Sequence, residues 1–478
     1  MGAPQRDLLT LKLTFSCRNG IFDVYLFALS NHTPKEKNMD GFTFYVVTDT
    51  HYYESSLGAS GKAYDERMKG EQKCFRENGE IVHATFEKLA ADREIDTIII
   101  AGDLTQNGEY ESHISFLKDL EMLKAAGKRI LLISARHDFN DSPKAYIGDT
   151  PVTVKGTKRT ELREMYNDYG YSEALAVDEI SYTYVARLCE GVRLLAINCD
   201  GDDKCKGCID DRLKGWIYEQ LKEAKNAGDK VIAMQHYPLI PQQPVFDLVG
   251  DARLKDWRNI AAFLADNGVN LIFTGHMHAQ SIKRFTSENG NSIIDVQTSS
   301  TIGYPAMYRT CTVTGNRIDI KSIDVPEFTM KDGTFIDKEY FKRQFSQMIP
   351  NKLGQLLKDG KAEQTGIQKF LLKSARSLTF GKAARLVGIG ASEELKKMRI
   401  TDFAVMIVLP LFGGDPEFGP GTPVYNDLSR IFKRISPILK KVNAKLSKNG
   451  NTVDIRELVL TSLYNQDELC DNDCSFDI

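Results

Sequence analysis

Short apolar runs alternate with amphipathic stretches from residue 41 to about residue 325. The runs are rich in β-branched and aromatic residues and carry few charges, which is typical of strands in a sheet covered on both faces. The stretches between them repeat apolar residues every three or four positions, as the buried face of a helix does. We therefore predict strands at 42–48, 97–101, 129–134, 192–198, 230–235, 270–274 and 292–297, a closing strand pair at 310–314 and 317–323, and helices at 80–92, 113–126, 211–226 and 254–267. This alternation predicts a layered α/β domain.

The pattern changes after about residue 325, where amphipathic stretches follow one another without strand-like runs. Helices are predicted at 338–358, 363–378, 394–411, 425–446 and 454–464, and Pro437 should kink the fourth of them. Residues 31–40 are polar and contain a proline, which is typical of a linker. We therefore divide the chain into an N-terminal extension and linker at 1–40, an α/β domain at 41–325 and a smaller all-α domain at 326–478.

Composition limits the classes of partner and location. The formal net charge is -3, so no stable complex with nucleic acid is expected. No apolar run reaches the about 18 residues that a membrane helix needs, and residues 8–29 lack the uninterrupted apolar core of a signal peptide. The nine cysteines are mostly scattered, which favours a reducing, cytoplasmic location. Cys205 and Cys208 would make half of a zinc site, but no second pair matches them, so a surface loop is favoured.

Chemically reactive side chains follow five of the predicted strands where each strand ends. The chain has eight histidines, and five of them stand at these positions, an arrangement that chance does not readily produce. Active sites of layered α/β folds lie beyond the carboxyl ends of their strands. The residues at these strand ends are Asp49, His51, Asp103, His137, Asp138, His236, His276 and His278.

Carboxylate and imidazole groups together suit divalent first-row metals. Six of these residues are candidate ligands, which exceeds the four that one tetrahedral site needs. We therefore predict two metal ions a few ångströms apart with a bridging carboxylate. The six candidates are Asp49, His51, Asp103, His236, His276 and His278. His137 remains free to act as an acid toward a leaving group, and Asp138 is expected to orient its ring.

The order Asp-x-His, Gly-Asp, His-Asp, a lone His and Gly-His-x-His resembles the calcineurin-like metallophosphoesterase superfamily over roughly residues 41–325. The pairs Ser299-Ser300 and Tyr304-Pro305 resemble bacterial members, and the trailing helices resemble the cyclic-nucleotide-phosphodiesterase type. The resemblance implies a four-layer αββα sandwich followed by a smaller all-α domain. It also implies hydrolysis of a phosphodiester, such as a cyclic nucleotide, by attack of a metal-bridging hydroxide.

The same resemblance implies two divalent ions, which would be manganese, iron or zinc. The ligands of the first ion would be Asp49, His51, Asp103 and His278, and those of the second would be Asp103, His236 and His276, with Asp103 as the bridge. His137 matches the catalytic histidine of the family, and Asp138 follows it in the same motif.

The motif Ala135-Arg136-His137-Asp138 departs from the family pattern, which has an asparagine ligand where this chain has Arg136. A guanidinium cannot ligate a metal, so the second metal site is expected to be weak. An inward Arg136 would empty that site, whereas an outward one would bind the substrate phosphate through its planar fork, and we expect the outward pose. Tyr52 and Tyr237 stand beside ligands, where they either stack on a substrate base or pack the rim of the site.

Three functions fit these motifs. The first is hydrolysis of a phosphodiester, with a small-molecule phosphoester as substrate. The second is a phosphomonoesterase, including a Ser/Thr phosphoprotein phosphatase, built on the same residues. The third is a catalytically weak binding module, which Arg136 favours and the six ligand-type residues disfavour. We expect the first; the sequence leaves the oligomeric state open.

Overall fold

The computed structural model describes residues 8–17, 20–29, 41–200, 206–359, 378–446, 453–466 and 469–477. Its strands are β1 (Leu8–Cys17), β2 (Gly20–Leu29), β3 (Phe42–Val47), β4 (Ala59–Ser60), β5 (Thr97–Ala101), β6 (Arg129–Ile133), β7 (Lys144–Ile147), β8 (Val152–Thr153), β9 (Ala176–Asp178), β10 (Thr183–Cys189), β11 (Val192–Ile197), β12 (Lys230–Gln235), β13 (Val269–Thr274), β14 (Ser281–Thr286), β15 (Ser292–Gln297), β16 (Met307–Thr314), β17 (Arg317–Asp324), β18 (Phe328–Thr329), β19 (Phe335–Ile336) and β20 (Cys474–Asp477). Its helices are α1 (Lys62–Met68), α2 (Asn78–Ala91), α3 (Tyr110–Ala125), α4 (Arg159–Met165), α5 (Asp211–Ala227), α6 (Trp257–Asp266), α7 (Lys338–Asp359), α8 (Phe380–Leu386), α9 (Glu393–Lys396), α10 (Ile400–Gly413), α11 (Pro423–Arg434), α12 (Ser436–Leu446) and α13 (Ile455–Thr461).

Two mixed sheets form the centre of the α/β part. The first has the strand order β20-β17-β16-β3-β5-β6, and the second has the order β14-β15-β13-β12-β11-β10-β9. Strands β3, β5 and β6 run parallel, as do β11, β12, β13 and β15. The inner faces pack on each other, so that Phe44 and Ile99 of the first sheet share a buried cluster with Ile232 and Phe273 of the second.

Helices cover the outer face of each sheet. Helices α2 and α3 pack on the first sheet through Phe86 and Leu120, and α5 and α6 pack on the second through Leu221 and Leu264. The central strands are therefore buried on both faces, which explains their nearly uninterrupted apolar sequences. The predicted four-layer αββα sandwich is confirmed.

The predicted strands and helices of residues 41–325 are all present, with ends shifted by a few residues. The prediction missed β10 and β14, among other short strands. Strand β14 lies at a sheet edge and contains Lys283 and Arg284, and β10 contains Arg187. Because these strands carry charges, they lack the apolar run by which buried strands are recognised.

The prediction that strands end before residue 325 is wrong. Strands β18 and β19 form a small antiparallel pair, and β20 pairs with β17 at the edge of the first sheet. The helix predicted at 394–411 is two helices, α9 and α10, and that predicted at 425–446 is interrupted at Ile435, just before Pro437. Most of the helix predicted at 363–378 and the linker at 31–40 lie outside the described residues. In the N-terminal extension, β1 and β2 form an antiparallel hairpin.

The last residues of the chain connect the helical part to the first sheet. The fully buried Arg309 of β16 donates hydrogen bonds to the main-chain oxygens of Asp471 at 2.8 Å and Asn472 at 2.7 Å. The carboxylate of Asp471 accepts the N–H of Ile282 at 2.9 Å. Strand β20 then extends the sheet, so residues on both sides of position 325 build the same structural unit.

No helix within the described ranges is both long and apolar enough to cross a membrane. Cys208 is disulfide-bonded, whereas Cys74, Cys189, Cys199, Cys311, Cys470 and Cys474 are free thiols. A disulfide at Cys208 runs against the reducing compartment that the scattered cysteines favour, and Cys205 lies outside the described residues. The cytoplasmic location stays a prediction.

Candidate active site

The carboxyl ends of β3, β5, β12 and β13 carry all six predicted metal ligands, which the fold brings together in two groups. Potential ligand atoms within each group lie within 4.8 Å of one another. His276 is partly exposed, and the other five residues are buried. The first group is Asp49, His51 and His278, and the second is Asp103, His236 and His276.

The carboxylate of Asp103 stands between the two groups. Its Oδ2 lies 3.0 Å from Nε2 of His236 and 3.6 Å from Nε2 of His51. In the first group, Nε2 of His278 lies 3.0 Å from Nε2 of His51 and 3.2 Å from Oδ1 of Asp49. Ring nitrogens and carboxylate oxygens therefore point at shared positions, with Asp103 where a bridging ligand would stand.

A left-handed backbone turns most of these side chains into the site. The φ angles are 51° at Asp49, 40° at His51, 51° at Asp103, 72° at His276 and 55° at His278. Residues other than glycine seldom adopt such angles, and this kind of strain concentrates at functional sites. The sharp turn before Asp103 uses Gly102 at φ 90°.

Gly275 is required for a different reason, because its Cα lies very close to the side chains of Thr48 and Asp49. A Cβ at this position would lie 2.1 Å from Thr48 Oγ1 and 2.4 Å from Asp49 Oδ2. Because these distances are far below van der Waals contact, no larger residue fits without displacing Asp49.

Hydrogen bonds to the main chain orient two of the ligand rings. His236 Nδ1 lies 2.9 Å from the oxygen of Ala101, and His276 Nε2 lies 2.6 Å from the oxygen of Asp251. Each ring therefore donates one N–H outward and leaves its other nitrogen for the site. Metal-binding histidines are commonly held in this way, because the outer hydrogen bond fixes the ring and its tautomer.

The donor set fits metal ions. Oδ2 of Asp49 accepts hydrogen bonds from the N–H of His276 and the hydroxyl of Thr48, at 2.9 and 2.7 Å. Oδ1 of Asp49 and Nε2 of His236 are buried and make no well-aligned hydrogen bond, and their close polar neighbours are other candidate ligand atoms. Buried polar atoms normally have partners, so these two atoms have the property expected of metal ligands.

The site favours ionised carboxylates. Burial alone would raise the pKa of Asp49 and of Asp103, but the nearby His236 and further histidines hold both pKa values well below their usual range. Burial would likewise lower the pKa of His236, but Asp103 and Asp49 outweigh it and raise that pKa to about 10. Negative charge on the two aspartates is the state that a divalent cation requires.

His137 lies in a 3-10 turn formed by Arg136–Asp138. Its backbone N–H donates to Oδ1 of Asp103 at 3.0 Å, and its ring lies 4.9 Å from the ring of His51, measured between centroids. Its Nδ1 lies 2.8 Å from the oxygen of Gln106, which leaves Nε2 for a substrate. Burial lowers the pKa of His137 to about 4.

Asp138 does not orient the ring of His137, contrary to expectation. Its buried carboxylate accepts the backbone N–H of Thr105 at 2.8 Å and that of Ala135 at 2.7 Å. It therefore holds together the two turns that carry Asp103 and His137. The oxygen of Gln106 takes the orienting role, because the carboxylate of Asp138 is directed at the backbone.

The guanidinium of Arg136 is exposed. It lies over the ring of Phe139 at 5.3 Å from the centroid, and it donates a hydrogen bond of 3.4 Å to the oxygen of the same residue. This is an outward pose, which leaves the group of Asp103, His236 and His276 intact.

The two tyrosines pack rather than present an open face. Tyr52 is partly buried against the apolar cluster between the first sheet and helices α2 and α3, with its ring 6.0 Å from that of Phe116, measured between centroids. Tyr237 is buried, its ring lies 4.4 Å from that of His276, and its hydroxyl donates to Asp200 at 3.2 Å. Both tyrosines therefore pack against the rim of the site and do not offer a free ring face to a substrate base. The ring of Tyr237 packs against the candidate ligand His276.

Sequence patterns missed three residues that contact the site. Asn78 donates to the main-chain oxygen of His51 at 2.6 Å, and Ser300 donates to that of Asp49, also at 2.6 Å. Lys73 places Nζ 3.5 Å from Nδ1 of His51. Only Ser300 carried a sequence signal, because it belongs to the Ser-Ser pair noted above; the other two lie in stretches without a motif.

Comparison with known proteins gives a family match. The model of the calcineurin-like phosphoesterase family matches residues 42–280. No curated protein matches the chain. Among solved structures, a dimetal phosphatase from Danio rerio is similar at 14% identity over 59% of this chain and 97% of its own, with a TM-score of 0.44. A purple acid phosphatase from yellow lupin is similar at 14% identity over 69% of this chain and 58% of its own, also with a TM-score of 0.44.

Proposed function

Because this chain belongs to the calcineurin-like phosphoesterase family, we propose that it hydrolyses a phosphodiester of the nucleotide class with two divalent metal ions. The observation that carries this proposal is the pair of ligand groups on either side of the Asp103 carboxylate. Mixed oxygen and nitrogen ligands suit manganese, iron or zinc. A small phosphoester is the partner that such a site requires.

The six ligand residues would divide between the two ions. One ion would be held by Asp49, His51, Asp103 and His278, and the other by Asp103, His236 and His276. When bound, two such ions neutralise charge on a phosphoryl group and lower the pKa of a water molecule. The chain contributes fixed ligand geometry, because backbone strain and main-chain hydrogen bonds hold these residues before any ion binds.

His137 is proposed to give a proton to the leaving oxygen. The oxygen of Gln106 fixes the ring through Nδ1, so Nε2 is the atom that would hold and transfer the proton. Burial lowers the pKa of His137, and an anionic phosphoryl group beside the ring would oppose this by stabilising the imidazolium.

Arg136 is proposed to contact the substrate phosphate from the rim. It immediately precedes His137, and its exposed guanidinium makes one long hydrogen bond of 3.4 Å. Its other N–H groups are therefore available to phosphate oxygens, which a planar guanidinium binds in pairs.

The test compares bis(p-nitrophenyl) phosphate, a diester, with p-nitrophenyl phosphate, a monoester, after loading the protein with manganese and measuring its metal content. We expect two ions per chain and faster turnover of the diester. Asp103→Asn should lose both metal and activity, because it removes the charge shared by the two groups. Glu87→Gln, at an exposed position on helix α2, is the matched control and should keep both.

Other results would favour the alternatives. Faster turnover of the monoester would support a phosphomonoesterase or a phosphoprotein phosphatase. Metal binding without turnover of either ester would support a binding module. Wild-type activity in Asp103→Asn would contradict the two-metal assignment itself.

A further inference from the structure

Lys73 is a buried cation that the mechanism above does not use. Its side chain is 7% exposed, and Nζ lies 3.5 Å from Nδ1 of His51. The ammonium group therefore lies close to a candidate metal ligand, whose ring is 4.9 Å from that of His137, the proposed acid.

The backbone around Lys73 is fixed next to the site. The N–H of Cys74 donates to the oxygen of Ile302 at 2.7 Å. Two residues before Ile302, the hydroxyl of Ser300 donates to the oxygen of Asp49. The loop that carries Lys73 is thus anchored to the segment that contacts the first ligand.

Lys73 has no carboxylate at ion-pair distance within the described residues. The nearest acidic group along the loop is Glu71, whose carboxylate is 3.1 Å from a guanidinium nitrogen of Arg67 and also accepts the N–H of Gln72. Burial raises the pKa of Glu71, but Lys73 and Arg67 outweigh this and lower it to about 2. Glu71 accepts the backbone N–H of Lys73 at 3.4 Å, but its only ion pair is with Arg67 among the described residues, so the Lys73 ammonium feels its charge without a direct contact.

His51 does not satisfy Lys73 either. If His51 binds a metal through Nε2, the proton of the neutral ring is on Nδ1, and a protonated lysine offers only donors. Metal-bound histidines normally donate this outer N–H to an acceptor such as a carboxylate or a carbonyl. Two donors facing each other leave the ammonium free for a negatively charged group.

We propose that Lys73 binds an anionic oxygen of the substrate phosphoryl group. This inference rests on the proposed function, because it assumes that phosphoesters enter the same site. A buried ammonium without a directly paired anion is unfavourable, and a bound phosphate oxygen would supply that pairing. Lys73 thereby acts as a substrate-binding residue on the side of the site that contains His51 and His137.

The experiment measures binding of inorganic phosphate, the reaction product, to manganese-loaded protein by calorimetry, together with metal content. Charge-assisted hydrogen bonds contribute roughly 1.5–3 kcal/mol, so Lys73→Met should weaken phosphate binding about 10–100-fold. Lys73→Arg should retain most of the affinity, because it keeps the charge. The metal content of Lys73→Met should equal or exceed that of the wild type, because a cation beside His51 has been removed.

Lys128→Met is the matched control. Lys128 is also buried, but its ammonium donates to the main-chain oxygens of Asp92 and Ile95. It immediately precedes β6, whereas the site lies beyond the carboxyl ends of the strands. Removing this lysine should leave phosphate affinity unchanged, even if it lowers the stability of the fold.

Two results would overturn the inference. One is equal phosphate affinity in the wild type and in folded Lys73→Met, including the case in which neither binds phosphate. The other is a loss of metal in Lys73→Met, which would assign Lys73 to the support of His51. Failure of the proposed function is distinguishable, because it appears as wild-type protein that binds metal and phosphate but hydrolyses neither nitrophenyl ester.

Discussion

At the residue scale, Arg136 is the position at which this site departs from the family pattern. Its guanidinium lies over Phe139 and away from the ligands, so the second group has three ligand side chains and lacks the asparagine oxygen that the family pattern supplies. A +1 charge about 5 Å from a divalent ion would cost on the order of 6–7 kcal/mol at an effective dielectric near 20, so the outward pose matters for metal binding.

Arg136→Asn should tighten binding of the second manganese ion and raise KM. The asparagine adds an oxygen ligand, and loss of the guanidinium removes a phosphate contact. Manganese titration and steady-state kinetics measure the two effects. Arg136→Met separates them, because it removes the charge without adding a ligand and should change KM alone. One ion in the wild type under saturating manganese, with two in Arg136→Asn, would show that the guanidinium occupies the second site instead.

His137→Ala should reduce kcat by about 10²–10⁴-fold on substrates with poor leaving groups. The loss should be smaller with nitrophenolate, because this group leaves without a proton. The measurement compares a nucleoside phosphodiester with bis(p-nitrophenyl) phosphate in wild type and variant. Equal losses on both substrates would indicate that His137 binds phosphate and does not transfer a proton.

The element scale explains why the ligands converge. Parallel strands end at a common edge, and five of the ligand residues adopt a left-handed backbone there. Buried polar residues also stabilise these strand ends through hydrogen bonds. In β15, Asp295 accepts hydrogen bonds from Thr274 at the end of β13, at 2.6 Å, and from the N–H of Ile240, at 2.8 Å.

The free energy of unfolding of the Asp295→Asn variant should increase relative to that of the wild type as the pH rises. Burial raises the pKa of Asp295 to about 7, whereas an aspartate in the unfolded chain has a pKa of about 3.9. The folded state therefore binds the extra proton between these values, and wild type loses stability as the pH rises from about 4 to about 7. Urea unfolding of both proteins at about pH 5 and about pH 8 tests this. A stability difference that does not change with pH would contradict it.

At the scale of the whole molecule, many contacts join the helical part to the sandwich, and two of them bear on the site and on stability. Helix α10 ends against the segment that follows His278, where the N–H of Gln280 donates to the oxygen of Phe412 at 2.9 Å. The C-terminal tail supplies β20 and the main-chain oxygens that Arg309 needs. Because α10 contacts the segment that follows His278, we expect the helical part to narrow the site and to influence substrate choice.

Truncation after residue 325 should destabilise the remaining sandwich. Breaking the contacts of one buried charge typically costs about 3–5 kcal/mol, and truncation removes the tail that pairs with Arg309. Chemical unfolding of the truncated and full chains measures the difference.

A second variant that replaces the helices between α7 and α13 with a flexible linker but retains the tail should recover much of this stability. If this variant is folded and its substrate preference is unchanged, the helical part does not determine specificity.

The sequence by itself predicted a layered α/β domain, six candidate metal ligands and His137 beside them, and the family resemblance added the four-layer order and the division of the ligands. Buried parallel strands must be apolar, and their ends must meet, so Asp49, His51, Asp103, His236, His276 and His278 were found without knowing any contact. Charged edge strands such as β14 escaped the same rule, because they lack an uninterrupted apolar run.

Only the tertiary structure decided the roles that depend on direction and on loops. In the structure, the main-chain oxygen of Gln106 orients the ring of His137, and the carboxylate of Asp138 binds backbone N–H groups. The guanidinium of Arg136 lies over the ring of Phe139. The tertiary structure also brought Lys73 to His51 and returned the C-terminal tail to Arg309. The physical reason is that these contacts join loops and chain ends with no periodic pattern, so their partners are set by the packing of the whole chain.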